Sequence, residues 1–463
     1  MVTTDDLLTA ERGIVVAPAG CGKTRLLVDT VLASSGERTL VLTHTRAGVA
    51  VIRSRLADHS VKSTQCRVAT LDNWCGWLAS RFPGLSGYVP TGTTRDYQTA
   101  QFGAKKVLSS SAIQAAVRAT YDRVLVDEYQ DCSGLQHEIA LALAEVVPTI
   151  AFGDPLQRVF DFDRAMPDWA NIVEAYRTSW TLDFPWRWEN AGELDFGKWI
   201  LRQRVALEAG RQIDFRSGPP NVRWIQLPTD TRQHRQINLE AVPHPSTKTS
   251  VFVLTHKAKT PERREFARQG IRLAVVENAD LPDLMTRAAQ LQEVRGRSRI
   301  ELLLDLAHEV MTGIDVAGTL ARIDALEKGT ARNPAHAEER ALIGLAMGAD
   351  PAELAAILQT LAKARYVFRP DLLESFCDAA RLANGERTLK EAAAYVRDRR
   401  ASLGRKVAPR AVGSTLLLKG LEADHTVVID ADSMKATDLY VAISRGARSL
   451  TVVSASPLLP VVR

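Results

Sequence analysis

The sequence predicts an α/β protein that contains two domains with parallel sheets, and three observations support this prediction. Short β-branched runs alternate with longer amphipathic helical patterns between residues 13 and 160, which is the spacing of βα units. Runs of the same kind return near residue 250 and near the end of the chain. Polar and charged residues follow several runs directly, at the strand ends where parallel sheets carry their ligand loops.

The composition is that of a folded, multidomain protein. The 463 residues are 46% hydrophobic and 24% charged, with a formal net charge of +5, which excludes wholesale disorder and collagen-like repeats. No apolar run approaches the ~18 residues of a membrane span, so we expect no membrane association and a cytoplasmic location. The five cysteines are scattered singly, which favours reduced structural thiols over a zinc site.

Five apolar runs predict the strands of a first domain, which we place at residues 1–190. Between the third and fourth runs the sequence becomes polar and rich in Gly, Ser and Thr, which we interpret as a small insertion at about 83–120. The five runs are Ile14–Val16, Thr39–Leu42, Arg67–Ala69, Val124–Val126 and Thr149–Phe152.

A second α/β domain is predicted from residues 191–280 and 401–463, interrupted by a helical insertion. Strand signals vanish between residues 281 and 400, where Ala-, Leu-, Glu- and Arg-rich helical patterns dominate. The strands expected in this domain are Ser250–Leu254, Ile271–Val276, Leu416–Leu418, Thr426–Ile429 and Leu450–Val453.

A phosphate-binding loop follows the first run and opens a helix at Arg25. In this context backbone N–H groups and the helix N-terminus face a nucleotide's phosphates. Lys23 is expected at the β- and γ-phosphates of ATP and Thr24 at Mg²⁺; the alternative is an accidental glycine-rich turn. The candidate nucleotide-binding residues of this segment are Ala17, Pro18, Ala19, Gly20, Cys21, Gly22, Lys23, Thr24 and Arg25.

Two acidic residues end the fourth run of the first domain. We expect Asp127 to be a metal ligand and Glu128 to polarise the attacking water. Two acids can also begin a solvated helix, but their place at the end of an apolar strand favours the functional interpretation.

After the phosphate loop, seven short segments follow in the order Leu40–Arg46, Ala69–Trp74, Asp127–Asp131, Gly153–Gln157, Phe184–Arg187, Lys419–Glu422 and Tyr440–Arg445. They resemble, in turn, the two accessory DNA-contacting motifs and the second to sixth motifs of superfamily 1 helicases of the UvrD/Rep type. Any one segment is a weak signal, whereas their ordered recurrence is specific.

The resemblance implies two RecA-like P-loop domains that hold ATP and Mg²⁺ in a shared cleft and step along single-stranded DNA, in the 3′-to-5′ direction. It assigns Gln157 to sensing the γ-phosphate, and Arg187 and Arg445 to the charge that develops during phosphoryl transfer. It also places Glu422 at the nucleotide ribose, with a tight turn at Gly420.

Single-stranded DNA binding requires aromatic faces for bases and polar groups for phosphates. His44 stands where the family usually has a stacking Phe, which weakens one expected base contact. Each aromatic candidate has core packing as its alternative. The DNA-binding candidates are Thr43, His44, Arg46, Thr70, Trp74, Phe160, Phe162, Trp186 and Thr415.

Two departures from the family pattern affect the predicted function. Relatives carry a Gln before the phosphate loop, and this Gln recognises adenine. The first twelve residues here contain neither Gln nor Asn, so hydrolysis of GTP or other triphosphates stays open as an alternative. The insertion at 83–120 is short, and we find no nuclease cluster after the motor. Compact UvrD-like proteins of this size resemble the helicase subunit of Gabija-type antiviral systems, which implies an OLD-family nuclease as a partner protein.

The leading hypothesis is an ATP-dependent DNA translocase or helicase that acts on single-stranded or tailed double-stranded DNA. Its rival is a nucleotide-sensing ATPase subunit that regulates a partner nuclease without unwinding DNA. A third possibility is a P-loop ATPase unrelated to nucleic acid. Stimulation of hydrolysis by DNA and displacement of a strand distinguish the three.

Overall fold

The computed structural model describes residues 2–90, 97–159, 166–244, 249–256, 260–269, 271–278, 280–346, 350–403 and 407–461. The chain forms two compact units. The first contains Met1–Arg223, Asp432–Ser449 and Pro457–Arg463, and the second contains Trp224–Ala431 and Leu450–Ser456. Residues 191–223 and 432–449, which the sequence analysis assigns to the second domain, thus pack with the first unit. The predicted domain boundaries stay a prediction.

The first unit is built on a six-stranded sheet in the order β3-β2-β4-β5-β1-β6, and all its strand pairs are parallel. Its four central strands are apolar and almost wholly buried, because helices cover both faces. A short antiparallel pair, β7 with β14, lies apart from this sheet. The strands are β1 (Arg12–Val16), β2 (Thr39–Thr43), β3 (Cys66–Thr70), β4 (Arg123–Val126), β5 (Thr149–Gly153), β6 (Ser179–Thr181), β7 (Ile213–Asp214) and β14 (Leu458–Leu459).

Twelve helices belong to this unit among its described residues. Three of them form the small insertion, including one over Tyr97–Leu108 that the sequence analysis does not predict. Gly103 lets that helix approach its neighbours, because a Cβ there would lie 3.1 Å from Cβ of Ala79. The helices are α1 (Thr4–Thr9), α2 (Lys23–Ala33), α3 (Arg46–Asp58), α4 (Leu71–Arg81), α5 (Pro83–Ser86), α6 (Tyr97–Leu108), α7 (Ser111–Thr120), α8 (Gly134–Ala144), α9 (Trp169–Tyr176), α10 (Trp186–Asn190), α11 (Leu194–Glu208) and α22 (Ala436–Ile443).

The second unit carries a second six-stranded sheet in the order β10-β11-β9-β12-β13-β8. The pairs β10–β11, β11–β9 and β9–β12 are parallel. The strands are β8 (Val222–Gln226), β9 (Val251–Thr255), β10 (Ala274–Val275), β11 (Arg410–Ser414), β12 (Ala423–Val428) and β13 (Gly446–Ser454), and the helices α12 (His234–Glu240) and α13 (Thr260–Ala267) precede the helical insertion. The predicted α/β fold with two parallel sheets is confirmed.

The helical insertion has a hydrophobic core of its own, formed by buried residues from Leu281 to Val396. No helix in the described part of the chain is long and apolar enough to cross a membrane. The helices of the insertion are α14 (Pro282–Glu293), α15 (Arg297–Val310), α16 (Val316–Glu327), α17 (Ala337–Ala346), α18 (Pro351–Ala362), α19 (Pro370–Leu382) and α20 (Leu389–Leu403).

The strand predicted at Leu416–Leu418 is wrong. The strand in this part of the chain is β11, which ends at Ser414, and a short helix α21 (Thr415–Leu418) follows. Ser414 accepts a hydrogen bond from the backbone N–H of Leu417 at 3.3 Å and so caps this helix. An apolar triplet alone does not distinguish a strand from a buried helical turn.

A buried ionic cluster joins the insertion to the rest of the second unit. Arg369 precedes α19 and is 2% exposed. Its guanidinium donates to Glu277, after β10, and to Asp283, at the start of α14, both at 2.5 Å. Arg264 of α13 also pairs with Asp283, at 2.7 Å. The cluster fixes how two helices of the insertion meet the edge of the sheet.

We expect Arg369→Met to lower the free energy of unfolding by about 3–5 kcal/mol, because it leaves the carboxylate of Glu277 buried without its main partner. The matched control is Arg381→Met, which breaks an exposed pair with Asp378 in the same helix and is expected to cost under about 1 kcal/mol. Urea unfolding followed by circular dichroism measures both. Equal effects of the two substitutions would contradict a stabilising role for the cluster.

Candidate functional site

The candidate site lies at the carboxyl edge of the sheet in the first unit. In the order β4-β5-β1 three neighbouring strands end side by side. The phosphate loop follows β1, Asp154 follows β5, and Asp127 follows β4. Because parallel strands end at the same edge, these segments meet although more than 100 residues separate the first from the last.

The phosphate loop has the strand–loop–helix form that the sequence predicts. Gly20 and Gly22 have φ angles of 74° and 88°, in the region that favours glycine. A Cβ at Gly20 would lie 2.7 Å from the ring of Trp188. Helix α2 begins at Lys23, with Gly22 at its N-cap. The side chain of Arg25 is exposed and forms an ion pair with Asp29 of the same helix, at 2.8 Å.

Lys23 lies between the two acidic residues. Its Nζ is 3.2 Å from Oδ1 of Asp127 and 2.5 Å from Oε1 of Glu128. Burial disfavours the charged ammonium, but the two carboxylates outweigh burial, so the pKa of Lys23 is raised. Burial likewise raises the pKa of Asp127, against the opposing charge of Lys23. The predicted phosphate-binding cation and both predicted acids thus form one buried charge cluster.

The donor set suits Mg²⁺ that arrives with a nucleotide. Oδ1 of Asp127 is buried without a hydrogen-bond partner and contacts only the Lys23 ammonium among the described ion pairs. Within the described residues no three His, Cys, Asp or Glu side chains form a ready metal cage. Mg²⁺ commonly combines one or two protein oxygens with phosphate oxygens and water. Asp127 and the hydroxyl of Thr24 could supply those protein oxygens.

Glu128 is held in place from two sides. Its φ of 54° is left-handed, a conformation that costs a non-glycine residue about 1 kcal/mol or more and is found at functional sites. Gln130 donates from Nε2 to Oε2 of Glu128 at 2.5 Å, and its own Oε1 accepts from the backbone N–H of Asp154 at 3.0 Å. The Gln130 amide therefore links the second motif to the third.

The third motif is organised around the carboxylate of Asp154. Its Oδ2 accepts from Nε2 of Gln157 at 3.0 Å. Its Oδ1 accepts from Nε and Nη2 of Arg204 in α11, at 3.2 and 3.0 Å. Gln157, the predicted γ-phosphate sensor, is thus anchored through a fully buried carboxylate.

The fourth and sixth motifs meet beside the phosphate loop, within the first unit. Arg187 donates to the backbone oxygen of Ser444, and Trp188 donates from Nε1 to the backbone oxygen of Gly446 at 2.8 Å. The hydroxyl of Tyr440 accepts the backbone N–H of Ala19 at 3.0 Å. The two predicted arginines, Arg187 and Arg445, therefore come from segments that contact each other.

Arg445 is buried at the end of α22. Its Nε donates to the backbone oxygen of Val441 at 2.9 Å, and its Nη2 donates to Oγ of Ser444 at 2.9 Å. These bonds hold the guanidinium against the end of α22, the helix that precedes it.

Trp186 lies next to the phosphate loop. Its Cδ1 is 3.2 Å from the position of a Cβ on Gly22, and its indole packs on Phe184 with ring centroids 4.4 Å apart. The side chain is nevertheless 45% exposed. The DNA contact expected of Trp186 stays a prediction.

Several predicted DNA-binding residues are buried. Trp74 is 0% exposed and packs in the core of the first unit, so it offers no face to a base in this structure. Thr43 and Thr70 are buried at the ends of β2 and β3, and Thr70 caps α4 by accepting the backbone N–H of Asn73 at 3.1 Å. Thr415 is buried at the start of α21 in the second unit.

For the other predicted residues the structure gives the position in the fold and few contacts. His44 is half-buried, with Nε2 3.3 Å from Sγ of Cys132, and Arg46 is the first residue of α3. Phe160 and Phe162 lie outside the described residues. Gly420, with a φ of 77°, and Glu422 belong to the second unit.

Four residues that organise the site were not predicted from the sequence: Gln130, Asp154, Tyr440 and Arg204. Gln130, Asp154 and Tyr440 lie inside recognised motifs, so a close inspection of those motifs could have assigned them. Arg204 lies in α11, outside every motif, and no sequence signal marks it.

One stretch of the first unit matches a known family model. Residues 93–178 match the model of the UvrD/REP helicase N-terminal domain, and this stretch includes Asp127, Glu128, Asp154 and Gln157. The resemblance to the UvrD/Rep-type helicases is confirmed. No curated protein matches the chain. Among solved structures the chain is similar to the crystal structure of Pif1 helicase from Candida albicans, with 12% identity, a TM-score of 0.41, and coverage of 97% of this chain and 93% of that chain.

Proposed function

We propose that this protein is an ATP-dependent translocase or helicase of superfamily 1 that moves 3′ to 5′ along single-stranded DNA. The observation that carries the proposal is the buried cluster of Lys23, Asp127 and Glu128 at the end of the phosphate loop. The match to a UvrD/REP helicase domain supports DNA as the polymer. The 3′-to-5′ direction rests on the family resemblance.

In the proposed reaction each residue acts on the terminal phosphate or on the attacking water. Lys23 exchanges its carboxylate partners for the β- and γ-phosphate oxygens of ATP. Mg²⁺ bound with ATP, held by Thr24 and Asp127, would neutralise developing charge. Glu128 accepts a hydrogen bond from the water, and Gln157 contacts the γ-phosphate. Arg187 and Arg445 stabilise the charge of the transition state.

The DNA-binding residues that we retain as proposals are the polar ones near the ends of β2 and β3, namely Thr43, His44, Arg46 and Thr70. We do not retain Trp74, because its buried indole cannot stack on a base. Phe160 and Phe162 remain proposals from the sequence, as do Gly420 and Glu422 for the nucleotide and Thr415 for DNA.

For Trp186 we propose a contact with the nucleotide base in place of DNA, because its partly exposed indole borders Gly22 of the phosphate loop. We expect Trp186→Ala to raise the KM for ATP about tenfold or more, since stacking on an aromatic ring contributes ~1–3 kcal/mol per base. Affinity for single-stranded DNA, measured by fluorescence anisotropy, is expected to stay within about twofold.

Tyr395→Ala, which removes an exposed aromatic ring from the helical insertion, is the control and is expected to leave the KM unchanged. A fall in DNA affinity with an unchanged KM would restore the original assignment of Trp186 to DNA.

Strand displacement tests the motor proposal. Duplexes with a 3′ or a 5′ single-stranded tail are incubated with ATP or with a non-hydrolysable analogue. We expect displacement of the 3′-tailed duplex with ATP alone. An intact duplex, under conditions where DNA still stimulates hydrolysis, would favour the rival nucleotide-sensing subunit.

A nuclease partner, proposed from the resemblance to compact antiviral helicases, is tested by co-purification with proteins encoded by neighbouring genes. A protein that stays monomeric beside each of them would remove this part of the proposal.

A further inference from the structure

The most informative feature outside the motifs is Arg204, a charged residue in the interior of the first unit. It is 6% exposed, and its main partner Asp154 is 0% exposed. Burial disfavours the guanidinium charge, but Asp154 outweighs burial and the pKa of Arg204 is raised. A buried ion pair seldom increases stability over an apolar pair of the same size, which suggests that this pair has a further role.

The geometry of the ion pair fixes the orientation of the Asp154 carboxylate. Two donors of Arg204, Nε and Nη2, and the backbone N–H of Leu156 all bind Oδ1. Oδ2 is left for Nε2 of Gln157, at 3.0 Å. A Gln side chain loses up to about 2 kcal/mol of rotamer entropy when it is fixed, and this bond fixes it before a ligand arrives.

The same carboxylate is linked to the water-polarising residue. The backbone N–H of Asp154 binds Oε1 of Gln130, whose Nε2 binds Oε2 of Glu128. Gly153 makes room for this amide, because a Cβ there would lie 3.0 Å from Oε1 of Gln130. One hydrogen-bond network therefore runs from Arg204 to the side chains of Gln157 and Glu128.

We propose that Arg204 is a positioning residue that acts through Asp154 to hold Gln157 ready for the γ-phosphate. The proposal rests on the proposed ATPase function for the identity of the ligand. It predicts that Arg204 governs the discrimination between ATP and ADP, although no part of it is expected to touch the nucleotide.

The test compares four variants by their affinities for fluorescent ADP and a fluorescent non-hydrolysable ATP analogue, and by kcat. Arg204→Lys keeps the charge but loses the planar fork that binds Oδ1. We expect it to lower the preference for the ATP analogue over ADP about tenfold, as one charge-assisted hydrogen bond would. Gln157→Ala is expected to lower the preference equally, and the double variant no further than Gln157→Ala alone.

Glu208→Gln is the matched control, because it removes only the outer partner of Arg204, which bonds Nη1 at 3.0 Å; the ATP preference should stay as in the wild type. If Arg204→Lys does not fold, Asp154→Asn replaces it, since this change removes the negative charge that pairs with Arg204 and replaces the acceptor of the Gln157 Nε2 bond by a donor. A preserved preference in whichever of these two variants folds, or additive losses in the double variant, would overturn the proposal.

The outcomes separate this inference from the proposed function. Loss of the ATP preference in Arg204→Lys, in a protein that does not hydrolyse ATP, would keep the positioning role and reject the motor. If the wild type hydrolyses ATP normally and Arg204→Lys keeps the ATP preference of the wild type, the proposed ATPase function stands and the positioning role is rejected. A wild-type protein with neither hydrolysis nor a preference for ATP would reject both.

Discussion

Lys23→Ala is expected to abolish ATP hydrolysis, with a fall in kcat of at least about 10³-fold. The ammonium forms ion pairs with both Asp127 and Glu128, at 3.2 and 2.5 Å. Its removal takes away the charge that would clamp the β- and γ-phosphates. A coupled-enzyme assay of phosphate release measures the effect.

Lys23→Ala also leaves Asp127 buried without a countercharge, so circular dichroism must show that the variant is folded. Lys198→Ala, which removes an exposed lysine of α11, is the control and is expected to hydrolyse ATP at the wild-type rate. A folded Lys23→Ala variant with more than about a tenth of the wild-type kcat would show that the phosphate loop does not bind the reacting phosphates.

Arg445→Ala is expected to lower kcat by about 10³–10⁵-fold, the range seen when an arginine that stabilises phosphoryl transfer is removed. Nucleotide affinity should change little, because the proposed contact forms mainly in the transition state. Single-turnover hydrolysis and equilibrium binding of a fluorescent ATP analogue separate the two effects.

Arg448→Ala is the control for Arg445→Ala. Arg448 follows three residues later, is exposed, and donates from Nη1 to the backbone oxygen of Ala191 at 3.3 Å. Normal hydrolysis by Arg445→Ala would show that the buried guanidinium takes no part in the reaction and only supports the end of α22, through its bonds to Val441 and Ser444.

The parts of the fold that depend on local pattern were predictable from the sequence. The alternation of apolar runs and amphipathic segments located five of the first sheet's six strands within about two residues, and the glycines at 20 and 22 marked the phosphate loop. The prediction failed at Leu416–Leu418, where three leucines suit a strand and a buried turn equally. The side chain of Ser414 caps this segment, which favours the helical turn over the strand.

The parts of the site that depend on tertiary contacts were not predictable. Trp74 reads as a stacking candidate because of its motif, but the packing of α4 on the sheet buries it. Trp186 could be placed near the motifs but not assigned to DNA or nucleotide, since its distance to Gly22 depends on how α10 meets the loop. Arg204 is 50 residues from Asp154 along the chain, and neither segment contains a sequence pattern that predicts this ion pair.

The central claim is that a nucleotide bound at Lys23 is hydrolysed in response to DNA. Steady-state ATP hydrolysis, measured with and without single-stranded DNA, tests it most directly, with Lys23→Ala as the baseline. We expect slow hydrolysis alone, a severalfold increase with single-stranded DNA, and no activity above background in Lys23→Ala. A rate that no polynucleotide changes, or one that survives Lys23→Ala, would contradict the claim.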